Sequence, residues 1–291
     1  MPGGFGERLL ALRGFSLLSA LPATELALVA RLSRERDLQA GEAFAVEGEP
    51  VQAVQLIVSG QARLWRAGLP IPSTAALDTV GLLPLAAGLP HPFSVVAVDA
   101  VHALEIDADL VAEVLEDDFA LFARVLRLGA GYALARADLA VPPAVQRPQP
   151  GSIVAGSARP SLAPLDAAER LLALRGMPLF RTAPVDGLAA LAKRLELVQL
   201  PPSGELRTRA GSGDVLLLVA GRARLAAGDL ESGAALGVLE ALADQSPALH
   251  LRALAPVQLL RGSVADLFDV LEDHHAMGRQ LLAEILRAIA R

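Results

Sequence analysis

The feature that most limits the fold is an internal repeat. Residues 7–14 and residues 169–176 both read E-R-L-L-A-L-R-G, 162 positions apart. Residues 56–64 (L-I-V-S-G-Q-A-R-L) return as residues 217–225 (L-L-V-A-G-R-A-R-L) at an offset of 161, and V-L-E-D at 114–117 returns at 270–273, an offset of 156. The matches keep their order, so the chain holds two copies of one unit, the second slightly shorter. With 291 residues in all, each copy is long enough to bury a core of its own. Between the copies Pro142, Pro143, Pro148, Pro150, Pro160 and Pro164 are interspersed with Gly151 and Gly156. Proline fixes φ and removes the backbone donor, so this composition predicts an extended linker. The expected division is one unit over residues 1–140, the linker over 141–165 and a second unit over 166–291.

Each copy reads as helix, then strands, then helix. Leu26, Val29, Ala30 and Leu32 recur at helical spacing behind Pro22 and Thr24, which predicts a helix opening near those two residues. Residues 38–64 change character. Short apolar runs broken by Gly41, Gly48 and Gly60 suit the strands and tight turns of a small roll. Helical periodicity returns over 107–140 through Leu110, Val114, Leu115, Phe122, Val125 and Leu126, with Gly129 and Gly131 expected to divide it into two helices. The second copy ends alike, with Leu267, Leu271, Leu281, Leu282, Ile285 and Ile289 spaced over 264–290.

Composition removes several classes of function. Hydrophobic residues make up 53% of the chain but aromatic residues only 3%, so the cores should be aliphatic with few large anchors. The formal net charge of −6 has the wrong sign for gripping phosphates, and DNA is not an expected partner. The lack of cysteine removes disulfides, thiolate zinc sites and thiol nucleophiles together. No basic stretch leads into an apolar signal core, and no run of about 20 apolar residues goes uninterrupted. A cytoplasmic location without membrane insertion is therefore expected, and the abundance of Ala, Leu, Arg, Gly and Pro suggests a high-GC bacterial source. No G-x-S-x-G, H-E-x-x-H or P-loop string occurs, so neither enzyme activity nor a cofactor is expected. Asp273, His274 and His275 are adjacent, and successive helical side chains diverge by about 100°, so no metal centre is expected there.

Gln39-Ala40-Gly41-Glu42, Glu47-Gly48-Glu49-Pro50 and the string at 56–64 together resemble the landmarks of the cyclic-nucleotide-binding domain, the sensor domain of catabolite-activator-protein type. The second copy carries the same skeleton at Pro202-Ser203-Gly204-Glu205, Gly211-Ser212-Gly213-Asp214 and residues 217–225. The resemblance spans roughly residues 17–126 and 179–286 and rests on turn glycines and strand residues. It implies an α+β, mainly β chain: two β-rolls of the double-stranded β-helix or jelly-roll type, each eight-stranded and flanked by N- and C-terminal helices.

In that family a phosphate-binding cassette carries the ligand, with the approximate form F-G-E-L-A-L, a short loop, then R-S-A-T-V. The Gly opens a helix whose N–H groups cradle the cyclic phosphate, the Glu accepts the ribose 2′-hydroxyl, and the Arg pairs with the phosphate. Carried over residue by residue, copy one keeps the Gly as Gly81, has Leu82 for the Glu and His91 for the Arg, and continues with Pro92, Phe93 and Ser94. Copy two keeps Gly237, has Val238 for the Glu and Pro247 for the Arg, and continues to His250 and Arg252. The spacing from Gly to the Arg position is 10 in both. Losing one member of a buried charge pair costs about 2–5 kcal/mol, or roughly 30- to several-thousand-fold in affinity. Each cassette lacks both partners, so neither is expected to bind cAMP or cGMP. His91 could touch an anion when protonated, or be an ordinary surface or structural residue. His250 and Arg252 lie two apart on a predicted strand and share a face, either as a residual anion site or as a solvated strand surface.

These readings converge on a non-enzymatic regulatory or scaffold protein whose degenerate rolls serve a protein partner. The alternative is a sensor of another small ligand, such as a cyclic dinucleotide, through remodelled cassettes. The resemblance also argues against a transcription factor or a kinase regulatory subunit, since neither a DNA-reading helix after the last helix nor a docking segment before the first is evident. The apolar stripe of the final helix, with Leu282 and Ile285, is a candidate interface for a homodimer or a partner, the other reading being that it packs on its own roll.

Overall fold

The computed structural model describes residues 4–15, 18, 21–71, 78–137, 164–226 and 228–289. Most of the expected linker, 141–163, lies outside them. The chain divides into two compact units, Met1–Val125 and Leu126–Arg291.

The first copy opens with α1 (Phe5–Arg13) and α2 (Ala23–Leu32). It runs through β1 (Arg34–Leu38), β2 (Ala43–Ala45), β3 (Ala53–Ser59), β4 (Ala62–Arg66), β5 (Leu69–Pro70) and β6 (Thr79–Val80). There follow α3 (Leu82–Ala86), β7 (Ser94–Ala97), β8 (Val101–Asp107), α4 (Ala108–Asp117) and α5 (Phe119–Ala137). The second copy has α6 (Ala167–Gly176), a 3-10 turn at Pro178–Phe180, and α7 (Val185–Arg194). Its strands are β9 (Glu196–Leu200), β10 (Glu205–Arg207), β11 (Asp214–Ala220), β12 (Arg222–Leu225), β13 (Gly228–Glu231) and β14 (Ala235–Leu236). It ends with α8 (Val238–Leu242), β15 (His250–Ala253), β16 (Val257–Ser263), α9 (Val264–Asp273) and α10 (His275–Ile289).

Among the described residues each copy is an eight-stranded roll of two antiparallel four-stranded sheets. In the first the strand orders are β1-β8-β3-β6 and β2-β7-β4-β5; in the second they are β9-β16-β11-β14 and β10-β15-β12-β13, the same orders shifted by eight. Even the irregularities repeat. The β3–β8 ladder slips between Ile57 and Ser59, and the β11–β16 ladder slips between Leu218 and Ala220. One rung differs in sign: Arg34 of β1 lies opposite Glu105 of β8, whereas Glu196 of β9 lies opposite Arg261 of β16. Among the described residues more lie in helices than in strands, so the chain is less dominated by strands than expected: the rolls set the architecture while the flanking helices supply much of the mass.

Side chains alternate across these strands. In the first copy Leu56, Leu104 and Ile106 face α1 and α2, in a cluster with Leu12, Leu26 and Ala30. In the second, Leu216, Leu218 and Leu259 face the roll interior with Leu236, Leu251 and Val257. The second cluster is wholly aliphatic and the first contains a single aromatic residue, Phe15, in keeping with a composition poor in large anchors.

The repeated octapeptide has a structural reason. Leu12 and Leu174 are fully buried. The Arg8 guanidinium donates to the Ser33 carbonyl at 2.7 Å and that of Arg170 to the Leu195 carbonyl at 2.9 Å. Ser33 and Leu195 are the C-caps of α2 and α7, so the same arginine neutralises the carbonyl end of the following helix in both copies.

The helix break in copy one falls at Asp118 and not at the glycines: Gly129 and Gly131 lie inside a continuous α5. The Asp118 carboxylate accepts from the Leu121 N–H at 3.0 Å, which starts a new helix there. A glycine costs a helix only about 1 kcal/mol, and the burial of Val125, Leu126 and Ala130 along one face outweighs it. In copy two the break falls at the equivalent His274, between α9 and α10. No described helix is long and apolar enough to cross a membrane.

Candidate ligand cassettes

In the first copy Gly81 ends β6 and caps α3 with φ of 89°. A Cβ there would stand 2.8 Å from the Ala53 carbonyl oxygen, so both backbone angle and space demand glycine. Leu82 turns inward and is buried. His91 is 8% exposed, and its backbone is fixed on both sides: its N–H donates to the Glu49 carbonyl and its carbonyl accepts from Gly48 N–H, each at 2.9 Å. Burial holds its imidazole below the ordinary value near 6.5, with Glu49 pulling the other way. His91 is thus a core residue and not a surface one. Pro92 is half-buried and Phe93 is buried, the latter with the Arg66 guanidinium 6.0 Å from its ring centroid. Ser94 accepts from Glu47 N–H at 2.9 Å, so its hydroxyl ties the cassette to the loop after β2.

In the second copy Gly237 takes the same left-handed cap at φ of 75°, and a Cβ would meet the Asp214 carbonyl oxygen at 2.6 Å. Val238 is buried and Pro247 is exposed. His250 and Arg252 share the exposed face of β15, as their spacing implied. His250 Nε2 lies 3.0 Å from Glu205, which Arg207 also approaches at 3.1 Å. The hydrogen bonds from His250 first and Arg207 second hold the Glu205 carboxyl below its ordinary value.

A cluster that the sequence reading missed lies at the mouth of the second roll. Arg207, Thr208, Arg209, Ser212, Asp214 and Arg261 line an open cleft of about 330 Å³. Arg261 reaches Asp214 Oδ1 at 2.9 Å, and the Ser212 hydroxyl donates to the other carboxylate oxygen at 2.6 Å. At the rung where Arg261 stands opposite Leu216, copy one has Glu105 opposite Gln55. Glu105 there is held by Arg36 at 2.8 Å and by the Gln55 amide at 3.2 Å.

Leu282 and Ile285 are 0% and 1% exposed. Their stripe is covered within the chain and offers no open face, so the packed reading replaces the interface. His274 Nδ1 lies 3.4 Å from Asp186, and among the described residues no group of three or more His, Asp or Glu could hold a metal.

Residues 35–118 match the family model of the cyclic nucleotide-binding domain. This stretch of the chain is a domain of that family, and the second copy repeats its topology strand for strand. No curated protein matches the chain. Among solved structures it is similar to the regulatory domain of Toxoplasma gondii protein kinase A with cAMP, at 13% identity over 98% of this chain and 97% of that one, with a TM-score of 0.33. It is similar also to the regulatory subunit of a cAMP-independent protein kinase A from Trypanosoma brucei, at 15% identity over 98% and 88%, with a TM-score of 0.34. A putative cyclic nucleotide-binding protein from Geobacter metallireducens matches at 22% identity over 43% of this chain and 94% of its own, with a TM-score of 0.38.

Proposed function

We propose that the chain is a non-enzymatic regulatory or scaffold protein in which neither roll holds cAMP or cGMP and the rolls act through a protein partner in the cytoplasm. One observation carries the reading. Both cassettes keep the glycine that shapes their backbone, while the two positions that would recognise a cyclic nucleotide hold Leu82 and His91 in one copy and Val238 and Pro247 in the other. A cyclic phosphate entering cassette one would lose water against Leu82 and Phe93 and meet an imidazole that burial keeps neutral, a costly desolvation without a charge to offset it. In cassette two an exposed proline offers neither charge nor N–H.

Calorimetric titration of the full chain with cAMP and with cGMP tests this. No saturable heat is expected at ligand concentrations of about 1 mM, whereas a dissociation constant below about 10 μM, near −7 kcal/mol, would overturn it. Binding gained by Leu82→Glu with His91→Arg, in a chain otherwise silent, would locate the loss at those two positions. The second reading, a sensor of another small ligand, is favoured by the arginine-lined cleft.

A further inference from the structure

We propose that the cleft at the mouth of the second roll binds a small phosphorylated anion, with Arg209 and Arg261 as its cations and the Thr208 hydroxyl as a further donor. The inference develops the small-ligand reading and does not depend on the loss of cyclic nucleotide from the cassettes.

The position of the cleft follows from strand alternation. Leu216, Leu218 and Leu259 fill the roll interior. Asp214 and Arg261 continue the same faces of β11 and β16 towards the strand ends, where the apolar filling gives out. The opposite wall is the segment after β10, which runs beside the cassette: Thr208 N–H donates to the Leu249 carbonyl and Gly211 N–H to the Ser246 carbonyl, both at 2.9 Å. The cleft thus lies between the sheet and the rim of a cassette whose own cation position holds Pro247.

Its charge is unbalanced in one direction: Arg207 is paired with Glu205 and Arg261 with Asp214, which leaves Arg209 as the excess cation of the lining. Asp214 holds Arg261 by a single oxygen and is itself held by Ser212, so this carboxylate acts as a positioning acceptor for the arginine. Arg209 carries no ion pair among the described residues. Thr208 is buried, and its hydroxyl accepts from Leu249 N–H at 3.0 Å, keeping its own proton for another acceptor. Planar guanidinium groups match phosphate oxygens in pairs. A volume of about 330 Å³ lies at the small end of the range for ligand pockets and suits a molecule of sugar-phosphate size. Copy one has Ala53 and Glu105 at the rungs of Asp214 and Arg261, so the arrangement belongs to the second roll.

The test is titration calorimetry on the full chain at low salt with three probes: inorganic phosphate, pyrophosphate and cAMP. Pyrophosphate should saturate one site per chain. Arg209→Ala should weaken it about tenfold or more, the loss of one charge-assisted contact. Because Arg261→Gln alone would strand Asp214, it is paired with Asp214→Asn; this double variant should keep the thermal midpoint and lose affinity to a similar degree. Phosphate should bind in the same cleft more weakly, with the same sensitivity to Arg209→Ala. Absence of saturable pyrophosphate binding, or binding indifferent to Arg209→Ala, overturns the proposal while leaving the reading of the cassettes standing. Cyclic AMP binding that survives Arg209→Ala would instead overturn the reading of the cassettes.

Discussion

In the first roll the far end of the cassette is packed shut: Leu82, His91 and Phe93 are all buried, and His91 is bonded through its backbone to Gly48 and Glu49. In the second, the same ten-residue step from glycine ends on an exposed Pro247, and beside it three arginines line an open cleft. Yet the two backbones agree in strand order, in the position of the ladder slip and in the left-handed glycine that opens the cassette helix. Shape and ligand chemistry are thus carried by separate sets of positions. Glycines and alternating aliphatics hold the first, and the side chains that differ between the copies, Leu82 and His91 against Val238 and Pro247, bear on the second.

The largest expected effect tests the shared backbone. Gly81→Ala and Gly237→Ala should each destabilise their own copy by about 2–4 kcal/mol, since a left-handed Cβ must also push aside a carbonyl. The second should be the worse, at 2.6 Å against 2.8 Å. Chemical denaturation followed by far-ultraviolet circular dichroism, which reports on both copies, checks this, and a neutral outcome at either site would show that the two cassettes do not share this turn. A smaller effect separates the copies at the octapeptide. Arg170 donates to the carbonyls of Leu165, Ala192 and Leu195, whereas Arg8 is bonded to that of Ser33. Arg170→Ala should therefore cost more than Arg8→Ala, each within about 1–3 kcal/mol; the reverse order in thermal melts would break the comparison.

The smallest effect belongs to His91. Its folded-state pKa lies below the ordinary value near 6.5, chiefly from burial, so the unfolded chain binds the proton more readily. The stability this group contributes is present above that value and is lost as pH falls below it. His91→Leu cannot titrate. The difference in melting temperature between wild type and variant should shift against the wild type on acidification from about pH 7 to pH 5, and parallel curves would refute the assignment.

Much of the fold was legible because its markers act locally. A turn that needs positive φ declares its glycine, as at Gly41, Gly48 and Gly60, and an aliphatic face declares its period. The cassettes were readable for the same reason, the step from Gly81 to His91 recurring from Gly237 to Pro247. The helix break was not, because Gly129 and Gly131 signal weakness while the deciding contact is a single carboxylate, Asp118, on the Leu121 N–H. The buried state of Leu282 and Ile285 depends on what packs over them, which an apolar period does not state. Nor was the cleft visible: Arg209 and Arg261 are far apart in sequence, and only the register of β11 on β16 places Arg261 at the mouth. An R-x-R beside a glycine turn otherwise reads as solvated surface.

The rung of opposite sign has a consequence for how two such similar copies sort themselves during folding. If β1 docked on β16, Arg34 would face Arg261; if β9 docked on β8, Glu196 would face Glu105. Like charges set directly opposite disfavour a strand pair, and exchange of equivalent strands is the characteristic error of tandem repeats. Reversing the charges of one rung between the copies therefore gives each edge strand a reason to find its own roll, a proofreading of assembly written in two arginines and two glutamates.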